Sequence, residues 1–364
     1  MPYILSIGTE NPPYKVSQDD TQEFAKQFFS KSFEHIERLL PVFHNGQIES
    51  RYFSAPLEWF ATPHSFQEKN DKYIEIAVEY GKKVIQKAMQ NDEYLNEALS
   101  FEEIDAIIYV STTGLSTPSI EARIMNHLPF RSTTKRIPMW GLGCAGGAAG
   151  LARAYEFCRA FKEATVLVLC VELCSLTFQH GDRSKSNLIG TSLFADGLAA
   201  VVVAGEDSPC LDRAKKILPR MLHTQTTLMP NSESVMGWEV RNDGLFVVFD
   251  KSIPVIVESW FKEIASGFLQ DQGLTMSDLT HFVAHPGGRK VLEAYQSAFG
   301  LHQELLIDSY NVLRDYGNMS SPTVLFVLEK AMSKANRTGE LGIAASLGPG
   351  FSSELVLLKW EEVS

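Results

Sequence analysis

Three side chains of this sequence form a set that can perform nucleophilic chemistry: Cys144, His285 and Asn318. A cysteine thiolate is a strong nucleophile, a histidine beside it serves as a base or charge partner, and an asparagine amide donates a hydrogen bond. These residues are widely separated along the chain. Their chemistry therefore depends on a fold that brings three distant segments to one place.

Cys144 lies in the segment MWGLGCAGGAAGLARAYEFC (139–158), among glycines and alanines and just before a helical run. The N-terminus of a helix presents unpaired N–H groups and partial positive charge. We therefore predict a depressed pKa for the Cys144 thiol and a sulfur that its small neighbours leave accessible. On this segment alone, a buried, unreactive cysteine in a tightly packed Ala/Gly helix is an equally good interpretation.

The other two residues favour the reactive interpretation. His285 ends a β-rich segment where the chain turns through Pro-Gly-Gly, a position suited to facing a cleft, and Asn318 lies at the predicted start of its own helix. A helix-capping role is the alternative for Asn318. The remaining histidines are interpreted as ordinary surface or core residues: His35, His44, His64, His127, His180, His223, His281 and His302.

Apolar runs and turn residues predict an α/β fold. Helices are predicted after Ser17 and over residues 71–90, because apolar residues recur there at helical spacing. Runs that are apolar throughout indicate strands buried on both faces. These strands cover residues 104–112, 164–172, 197–205, 279–285, 341–346 and 354–360.

The two halves of the chain repeat one pattern of strand, helix, small-residue segment and strand. Cys144 and Asn318 hold matching places in the small-residue segments, and each is followed seven residues later by a leucine, Leu151 or Leu325. This repetition predicts an internal duplication. We place the half with the nucleophile at residues 1–210 and the half with the histidine and asparagine at residues 211–364.

Composition limits the function further. The 364-residue chain has a formal net charge of −11, which argues against a nucleic-acid partner. Its five cysteines form no paired spacing, so we expect neither a disulfide framework nor a metal site. The N-terminus lacks the features of a secretion signal, and the most apolar window, residues 164–174, is too short to span a bilayer. We therefore expect a soluble, cytoplasmic protein with no membrane partner.

Several motifs together resemble one enzyme family. GCAGGAAG around Cys144, VAHPGG around His285 and YGNMSS around Asn318 resemble, in this order, the motifs of type III polyketide synthases, the chalcone synthase-like branch of the thiolase superfamily. The resemblance covers the chain from about residue 48 onward and includes ELCSLTF (172–178), GTSLFADGLAA (190–200) and SLGPGFSSE (346–354). The residues flanking the cysteine follow the bacterial rather than the plant pattern. The resemblance implies a five-layered αβαβα thiolase-like fold of two duplicated halves, and a homodimer.

The resemblance also implies roles. Cys144 would accept a starter acyl group from coenzyme A, with its thiolate stabilised by His285. His285 and Asn318 would hold the thioester carbonyl of malonyl-CoA and stabilise the enolate left by decarboxylation, which condenses with the Cys144 thioester. Phe194 matches the family's gatekeeper between the coenzyme A tunnel and the catalytic cavity. Because loss of carbon dioxide generates the carbanion, we expect coenzyme A thioesters as substrates and no cofactor.

Binding residues are implied in the same way. The starter-pocket positions are small, which favours a long fatty acyl-CoA starter with pyrone or resorcinol products, and an aromatic starter second: Thr113, Cys174, Thr177 and Ser320. Gly348, Pro349 and Gly350 would shape the cavity in which the product cyclises. Arg38 and Arg51 are candidate contacts for the phosphates of coenzyme A.

Three other functions fit part of the sequence. A ketoacyl-carrier-protein synthase that initiates fatty-acid synthesis shares the fold and the catalytic set, but ELCSLTF, SLFADG and LGPGFSSE favour the polyketide branch. A papain-like cysteine protease has Cys, His and Asn in the same order, but its nucleophile precedes a Trp near the mature N-terminus. A thiolase-fold binding protein without activity would not need the complete catalytic set and the gatekeeper Phe194.

Overall fold

The apolar segments of the chain form the inner strands of one mixed sheet. The computed structural model describes residues 1–30, 32–335 and 337–363. The strands are β1 Tyr3–Glu10, β2 Tyr14–Ser17, β3 Ser50–Phe53, β4 Ala106–Val110, β5 Lys135–Met139, β6 Thr165–Leu173, β7 Asp196–Ala204, β8 Leu218–Leu228, β9 Met236–Arg241, β10 Gly244–Phe249, β11 His281–Ala284, β12 Leu341–Gly348 and β13 Ser352–Glu361.

Helices lie between these strands and cover the faces of the sheet. They are α1 Gln18–Phe29, α2 Pro41–Asn45, α3 Leu57–Phe60, α4 Phe66–Met89, α5 Ile120–Met125, α6 Gly146–Ala160, α7 Lys185–Leu193, α8 Ile253–Ile256, α9 Lys262–Gln270, α10 Arg289–Phe299, α11 Ile307–Tyr316 and α12 Ser321–Lys334. Ser17 caps α1 by accepting a hydrogen bond from the Asp20 N–H, as predicted. Helix α4 begins at Phe66, before the predicted residue 71, because Ser65 and Glu68 form a capping box there.

The strand order repeats the internal pattern seen in the sequence. The large sheet runs β11-β12-β13-β8-β1-β7-β6-β4-β5. In one half β4 is parallel to β6 and β6 is antiparallel to β7; in the other β11 is parallel to β12 and β12 is antiparallel to β13. Strands β1 and β8 join the two halves at the middle of the sheet. The predicted duplication is therefore visible in the topology, whereas its boundary at residue 210 stays a prediction.

Helices form three layers around the two half-sheets. Helices α6 and α12 pack on each other and contact strands of both halves, and α4 covers the outer face of β1 and β7. On the opposite outside, Val257, Phe261 and Leu292 pack against the strand residues Phe282 and Ile343. This gives the order helix, sheet, helices, sheet, helix. The predicted five-layered αβαβα thiolase-like fold is confirmed.

The central helices α6 and α12 meet at very close range. A Cβ atom at Gly147 of α6 would lie 2.3 Å from the carbonyl oxygen of Ser321 and 2.5 Å from the side chain of Val324, both in α12. Only glycine allows the two backbones to approach this closely. The segments that precede these helices carry Cys144 and Asn318, so this contact sets the separation of the two functional residues.

Candidate active site

Cys144 lies in a tight turn that leads into α6. The turn, Gly143–Ala145, is a 3-10 helix, and Gly143 has a φ of +45°, in the region that favours glycine. The turn is backed by Gly348 and Pro349 at the end of β12, because a Cβ atom at Gly348 would lie 2.7 Å from the Ala145 nitrogen. Cys144 keeps only 6% of its surface exposed. Gly348 and Pro349 thus pack directly against the turn that carries Cys144, and a role in cyclisation stays a prediction.

His285 and Asn318 enter the same region from the C-terminal half. His285 follows β11 and its backbone N–H donates to the Ala345 carbonyl, which continues the pairing with β12. Asn318 pairs with the segment around Phe194: its N–H donates to the Leu193 carbonyl and its carbonyl accepts from the Ala195 N–H. The position of the asparagine is therefore fixed by backbone contacts to the other half. It does not cap α12, because Ser320 stands at that helix's N-cap.

The Asn318 amide is oriented by hydrogen bonds at both ends. Its Oδ1 accepts from the Ser320 N–H at 2.8 Å and lies 3.9 Å from the Cys144 sulfur. Its Nδ2 donates to the Gly287 carbonyl at 3.1 Å. An amide nitrogen carries two N–H groups, so one donor remains for a ligand.

Cys144, His285 and Asn318 line one cavity of about 240 Å³. The structure therefore brings together the three residues that the sequence singles out. Most of the wall is apolar, with charged residues only at Asp250, Lys251 and Lys290: the other lining residues are Ile189, Leu193, Met236, Phe249, Ile253, Gly287, Val291, Tyr295 and Leu347. We call this the catalytic cavity. Such a site combines a nucleophile with hydrogen-bond donors in a largely water-excluding environment, which strengthens electrostatic interactions.

Burial determines the protonation states in the catalytic cavity. It raises the pKa of the Cys144 thiol to about 11 and lowers the pKa of His285 to about 3. The depressed cysteine pKa that the sequence predicts is therefore wrong for this structure. A hydrogen bond from Ser320 favours the thiolate, but desolvation outweighs it. The resting pair is a neutral thiol and a neutral imidazole.

A thiolate and an imidazolium formed together leave the cavity neutral overall, and opposite charges attract strongly where water is excluded. We therefore expect proton transfer from Cys144 to His285 to make the thiolate available below the isolated thiol's pKa of about 11. His285→Gln should shift the pKa for alkylation of Cys144 upward toward that value. The rate of iodoacetamide labelling at Cys144, measured by mass spectrometry between about pH 6 and pH 10, gives the profile. Identical profiles in both proteins would exclude the pairing.

Phe194 separates the catalytic cavity from a second, smaller one. Its ring stacks on Phe249, which lines the catalytic cavity, with centroids 5.4 Å apart, and lies 5.6 Å from Trp238. The second cavity, about 50 Å³, is bounded by Phe194 and mainly aromatic and aliphatic side chains; we call it the apolar cavity. Its lining is Thr21, Phe24, Phe53, Leu57, Phe60, Cys174, Ser175, Thr177, Phe178, Asn187, Gly190, Thr191, Phe194 and Val247. Phe194 thus lies between these two cavities, and its role as a gatekeeper between the coenzyme A tunnel and the catalytic cavity stays a prediction.

The four candidate starter-pocket residues do not share one surface. Cys174 and Thr177 line the apolar cavity. Thr113 is buried, and its hydroxyl donates to the Glu172 carboxylate at 2.8 Å and accepts from the Leu173 N–H at 2.9 Å. Ser320 lies beside Asn318 and Cys144. The structure thus places two of the four on the apolar cavity, and their role in binding a starter stays a prediction.

Arg51 cannot bind coenzyme A, because its side chain is completely buried. Its guanidinium donates to the Thr191 and Phe194 carbonyls, each at 2.7 Å, and burial lowers its pKa to about 9. Arg51 instead holds the backbone of residues 191–194 in place. Arg38 is exposed in the short 3-10 helix Ile36–Arg38, and it is not among the residues that line the catalytic cavity.

The catalytic cavity contains residues that the sequence did not single out. Lys251 and Lys290 stand at its mouth, and the Tyr295 hydroxyl is buried without a hydrogen-bond partner in the described part of the chain, as are both His285 ring nitrogens. Lys290 and Tyr295 follow His285 by five and ten residues, and both belong to α10. The sequence did contain a signal for Lys290 and Tyr295. A helix is predicted after the Pro-Gly-Gly turn, and the first turns of that helix necessarily lie close to His285.

The part of the chain that the structure describes has neither a metal-binding cluster nor a membrane-spanning helix. No group of three or more His, Cys, Asp or Glu side chains there is placed to hold a metal ion. Within the same residues, every helix is too short or too polar to cross a bilayer.

Comparison with known proteins gives one consistent result. The family models of the N-terminal and C-terminal domains of chalcone and stilbene synthases match residues 2–208 and 220–360. A Bacillus subtilis (strain 168) protein named "Putative chalcone synthase" is 49% identical over 100% of both chains. The 1,3,6,8-tetrahydroxynaphthalene synthase of Streptomyces peucetius subsp. caesius is 32% identical over 98% of this chain and 93% of its own. The crystal structure of the Streptomyces coelicolor A3(2) tetrahydroxynaphthalene synthase, a bacterial type III polyketide synthase, superimposes with a TM-score of 0.91 over 99% of both chains, at 29% identity.

Proposed function

Because the chain belongs to the chalcone and stilbene synthase family of type III polyketide synthases, we propose that it condenses malonyl-CoA units onto an acyl starter bound to Cys144. The observation that carries the proposal is the catalytic cavity, where the thiol of Cys144, the imidazole of His285 and the amide of Asn318 meet. The starter acyl group comes from an acyl-CoA thioester. No metal or organic cofactor takes part in this scheme.

The first step loads the starter. The Cys144 thiolate attacks the carbonyl of the acyl-CoA thioester, the bond from that carbonyl to the coenzyme A sulfur breaks, and the departing thiolate takes up the proton held by His285. The products are an acyl-cysteine and free coenzyme A. Since His285 is then neutral, one of its ring nitrogens carries a hydrogen and serves as a donor.

The second step forms the carbon–carbon bond. When malonyl-CoA loses carbon dioxide, negative charge develops on its thioester oxygen, and the free N–H of Asn318 and a ring N–H of His285 stabilise that charge. The enolate carbon attacks the Cys144 thioester, and the cysteine leaves as a thiolate. Transfer of the lengthened chain back to Cys144 allows another round. Ring closure then gives a pyrone or a resorcinol.

The lining of the apolar cavity favours an alkyl starter. Every lining hydroxyl already donates a hydrogen bond within the protein: Thr21 to Ser17, Ser175 to Asp196, Thr177 to Cys174 and Thr191 to Asn187. The Asn187 amide nitrogen is likewise bonded to the Gln179 and Asp182 carbonyls. A phenolic starter would find few free donors here, whereas an alkyl chain needs none.

The outer end of the apolar cavity leads toward the surface. Phe24 and Leu57 line both this cavity and an open groove between α1 and α3. The cavity of about 50 Å³ is smaller than a long acyl chain, so such a chain must displace side chains such as Phe24 toward the groove. The groove beyond these two side chains supports a long fatty acyl starter, and an aromatic starter remains the alternative.

Product formation from malonyl-CoA with acyl-CoAs of graded length tests the starter. Each additional buried methylene contributes about 0.8 kcal/mol, so kcat/KM should rise steeply with chain length until the tail reaches solvent. Gly190→Leu places a side chain in the apolar cavity, where a Cβ atom would make ordinary contacts with Val247 and Phe194 at 3.5 and 3.6 Å. We expect this variant to lose activity with palmitoyl-CoA and keep it with butyryl-CoA.

Gly267→Leu is the matched control, because Gly267 also lies inside a helix and a Cβ atom there would have no neighbour within 4 Å. It should leave the length preference unchanged. Preference of the wild-type enzyme for short or aromatic starters would overturn the alkyl assignment. A single extension onto a carrier protein, in place of repeated extension, would support a ketoacyl-carrier-protein synthase instead. We also propose a homodimer, which sedimentation equilibrium would establish.

A further inference from the structure

Tyr295 belongs to the wall of the catalytic cavity, and the condensation scheme gives it no role. We propose that its hydroxyl donates a hydrogen bond to the β-keto oxygen of the chain that returns to Cys144 after the first extension. Tyr295 is then a specificity-determining residue, because it holds a group that a simple acyl starter lacks and every extended chain carries. This inference rests on the proposed repeated extension of the chain.

The Tyr295 hydroxyl has no partner within the described part of the chain, although the side chain is completely buried. Most buried polar groups are hydrogen-bonded, and an unpaired one destabilises the fold. Other tyrosines show the usual arrangement: the Tyr73 hydroxyl donates to Ser111 at 2.8 Å, and the Tyr310 hydroxyl donates to Gln296 at 2.7 Å. An unpaired hydroxyl in the wall of a substrate cavity is therefore available to a ligand.

Aromatic packing fixes the position of this hydroxyl. The Tyr295 ring meets the rings of Phe261 and Phe282 edge to face, with centroids 5.4 and 5.5 Å apart. Tyr295 lies one turn after Val291 in α10, and both side chains line the cavity. Burial raises the pKa of Tyr295, so the hydroxyl keeps its proton at neutral pH and remains a donor.

The growing chain brings ketone oxygens into a cavity with few donors. In the proposed scheme, the N–H groups of Asn318 and His285 are occupied by the malonyl thioester. Among the neutral side-chain donors that line the cavity in the described residues, this leaves the Tyr295 hydroxyl uncommitted. A ketone oxygen that enters an apolar site without a donor loses the hydrogen bonds it made with water. Pairing it with Tyr295 satisfies both groups.

Tyr295→Phe removes the hydroxyl and keeps the ring. We expect the loading of Cys144 and the first extension to proceed at the wild-type rate, because neither step involves a β-keto oxygen on the enzyme-bound chain. The ratio of pyrone, which needs at least two extensions, to the singly extended β-keto acid and its methyl ketone should fall about tenfold, the effect of one hydrogen bond. Mass spectrometry of the products from malonyl-CoA with butyryl-CoA and with palmitoyl-CoA measures this ratio.

Tyr94→Phe is the matched control, because Tyr94 is equally buried, its hydroxyl lies 3.5 Å from the Glu329 carbonyl oxygen, and it does not line the cavity. This variant should keep the wild-type product ratio. Thermal unfolding tests the effect on the fold: the Tm of Tyr295→Phe should equal or exceed that of the wild type, since the hydroxyl removed has no partner within the described residues.

Two results would contradict the role of Tyr295 and leave the proposed function intact: an unchanged product ratio in Tyr295→Phe, or an equal slowing of the first and later extensions. Absence of any extended product from the wild-type enzyme would instead refute the proposed function itself.

Discussion

Cys144→Ala is expected to abolish polyketide formation, with a fall in turnover of about 10⁴-fold or more, the scale seen when an enzyme loses its nucleophile. The alanine removes the only atom that holds the acyl chain in the proposed scheme. His285 and Asn318 keep their positions, because neither depends on the sulfur for its backbone contacts. Decarboxylation of malonyl-CoA to acetyl-CoA should therefore continue. Chromatography of both products from one reaction measures the two activities together.

Cys158→Ala is the control for this experiment. Cys158 lies in α6, the helix that Cys144 leads into, and is also buried, but its sulfur contacts the Ala164 and Val203 carbonyls away from the cavity. This variant should keep polyketide formation. Continued synthesis of polyketide by Cys144→Ala would show that the chain is carried elsewhere, and the condensation scheme would fall.

Asn318→Ala is expected to slow decarboxylation of malonyl-CoA by about 10²–10³-fold, the usual cost of removing one donor that stabilises a developing oxyanion. Loading of Cys144 by the starter should persist, because that step uses the thiolate and His285. Release of carbon dioxide from labelled malonyl-CoA and mass spectrometry of the acylated enzyme give the two rates separately.

Asn318→Asp separates donation from structural support. The aspartate retains an oxygen that can accept from the Ser320 N–H, now held at 2.8 Å, but it has no N–H to donate. If Asn318 acts as a donor, both variants should lose decarboxylation. Full activity in the aspartate variant would mean that the Asn318 side chain serves only to accept the hydrogen bond from the Ser320 N–H.

The sequence predicted six of the strands because their apolar runs depend on local composition alone, but it did not predict β1 Tyr3–Glu10, which is buried over most of its length. The run 164–172 became β6 Thr165–Leu173, and 341–346 became the longer β12 Leu341–Gly348. The β9–β10 ribbon was not predicted. Most of its residues are half-buried and form a separate two-stranded sheet, so they lack the continuous apolar pattern of a core strand.

Within the site, the motifs located the catalytic residues but not their environment. The pKa of Cys144 is raised by burial, and residues packed against its turn, such as Pro349 beside Gly143, are distant in sequence. Arg51 shows the same limit, because the sequence alone does not distinguish a buried arginine from an exposed one. Lys251 and Lys290 carry no motif, and only the folded cavity shows that they share an opening.

The close approach of Gly147 to the Ser321 carbonyl affects both the stability of the fold and the alignment of the catalytic residues. The nucleophile and the amide donor belong to opposite repeats, so neither repeat holds a complete reaction centre. Their alignment depends on the contact between α6 and α12, where the two repeats meet. A single methyl group at residue 147 would force these two helices apart. Evolutionary drift at residue 147 is therefore constrained by the geometry of a reaction in which that residue never takes part.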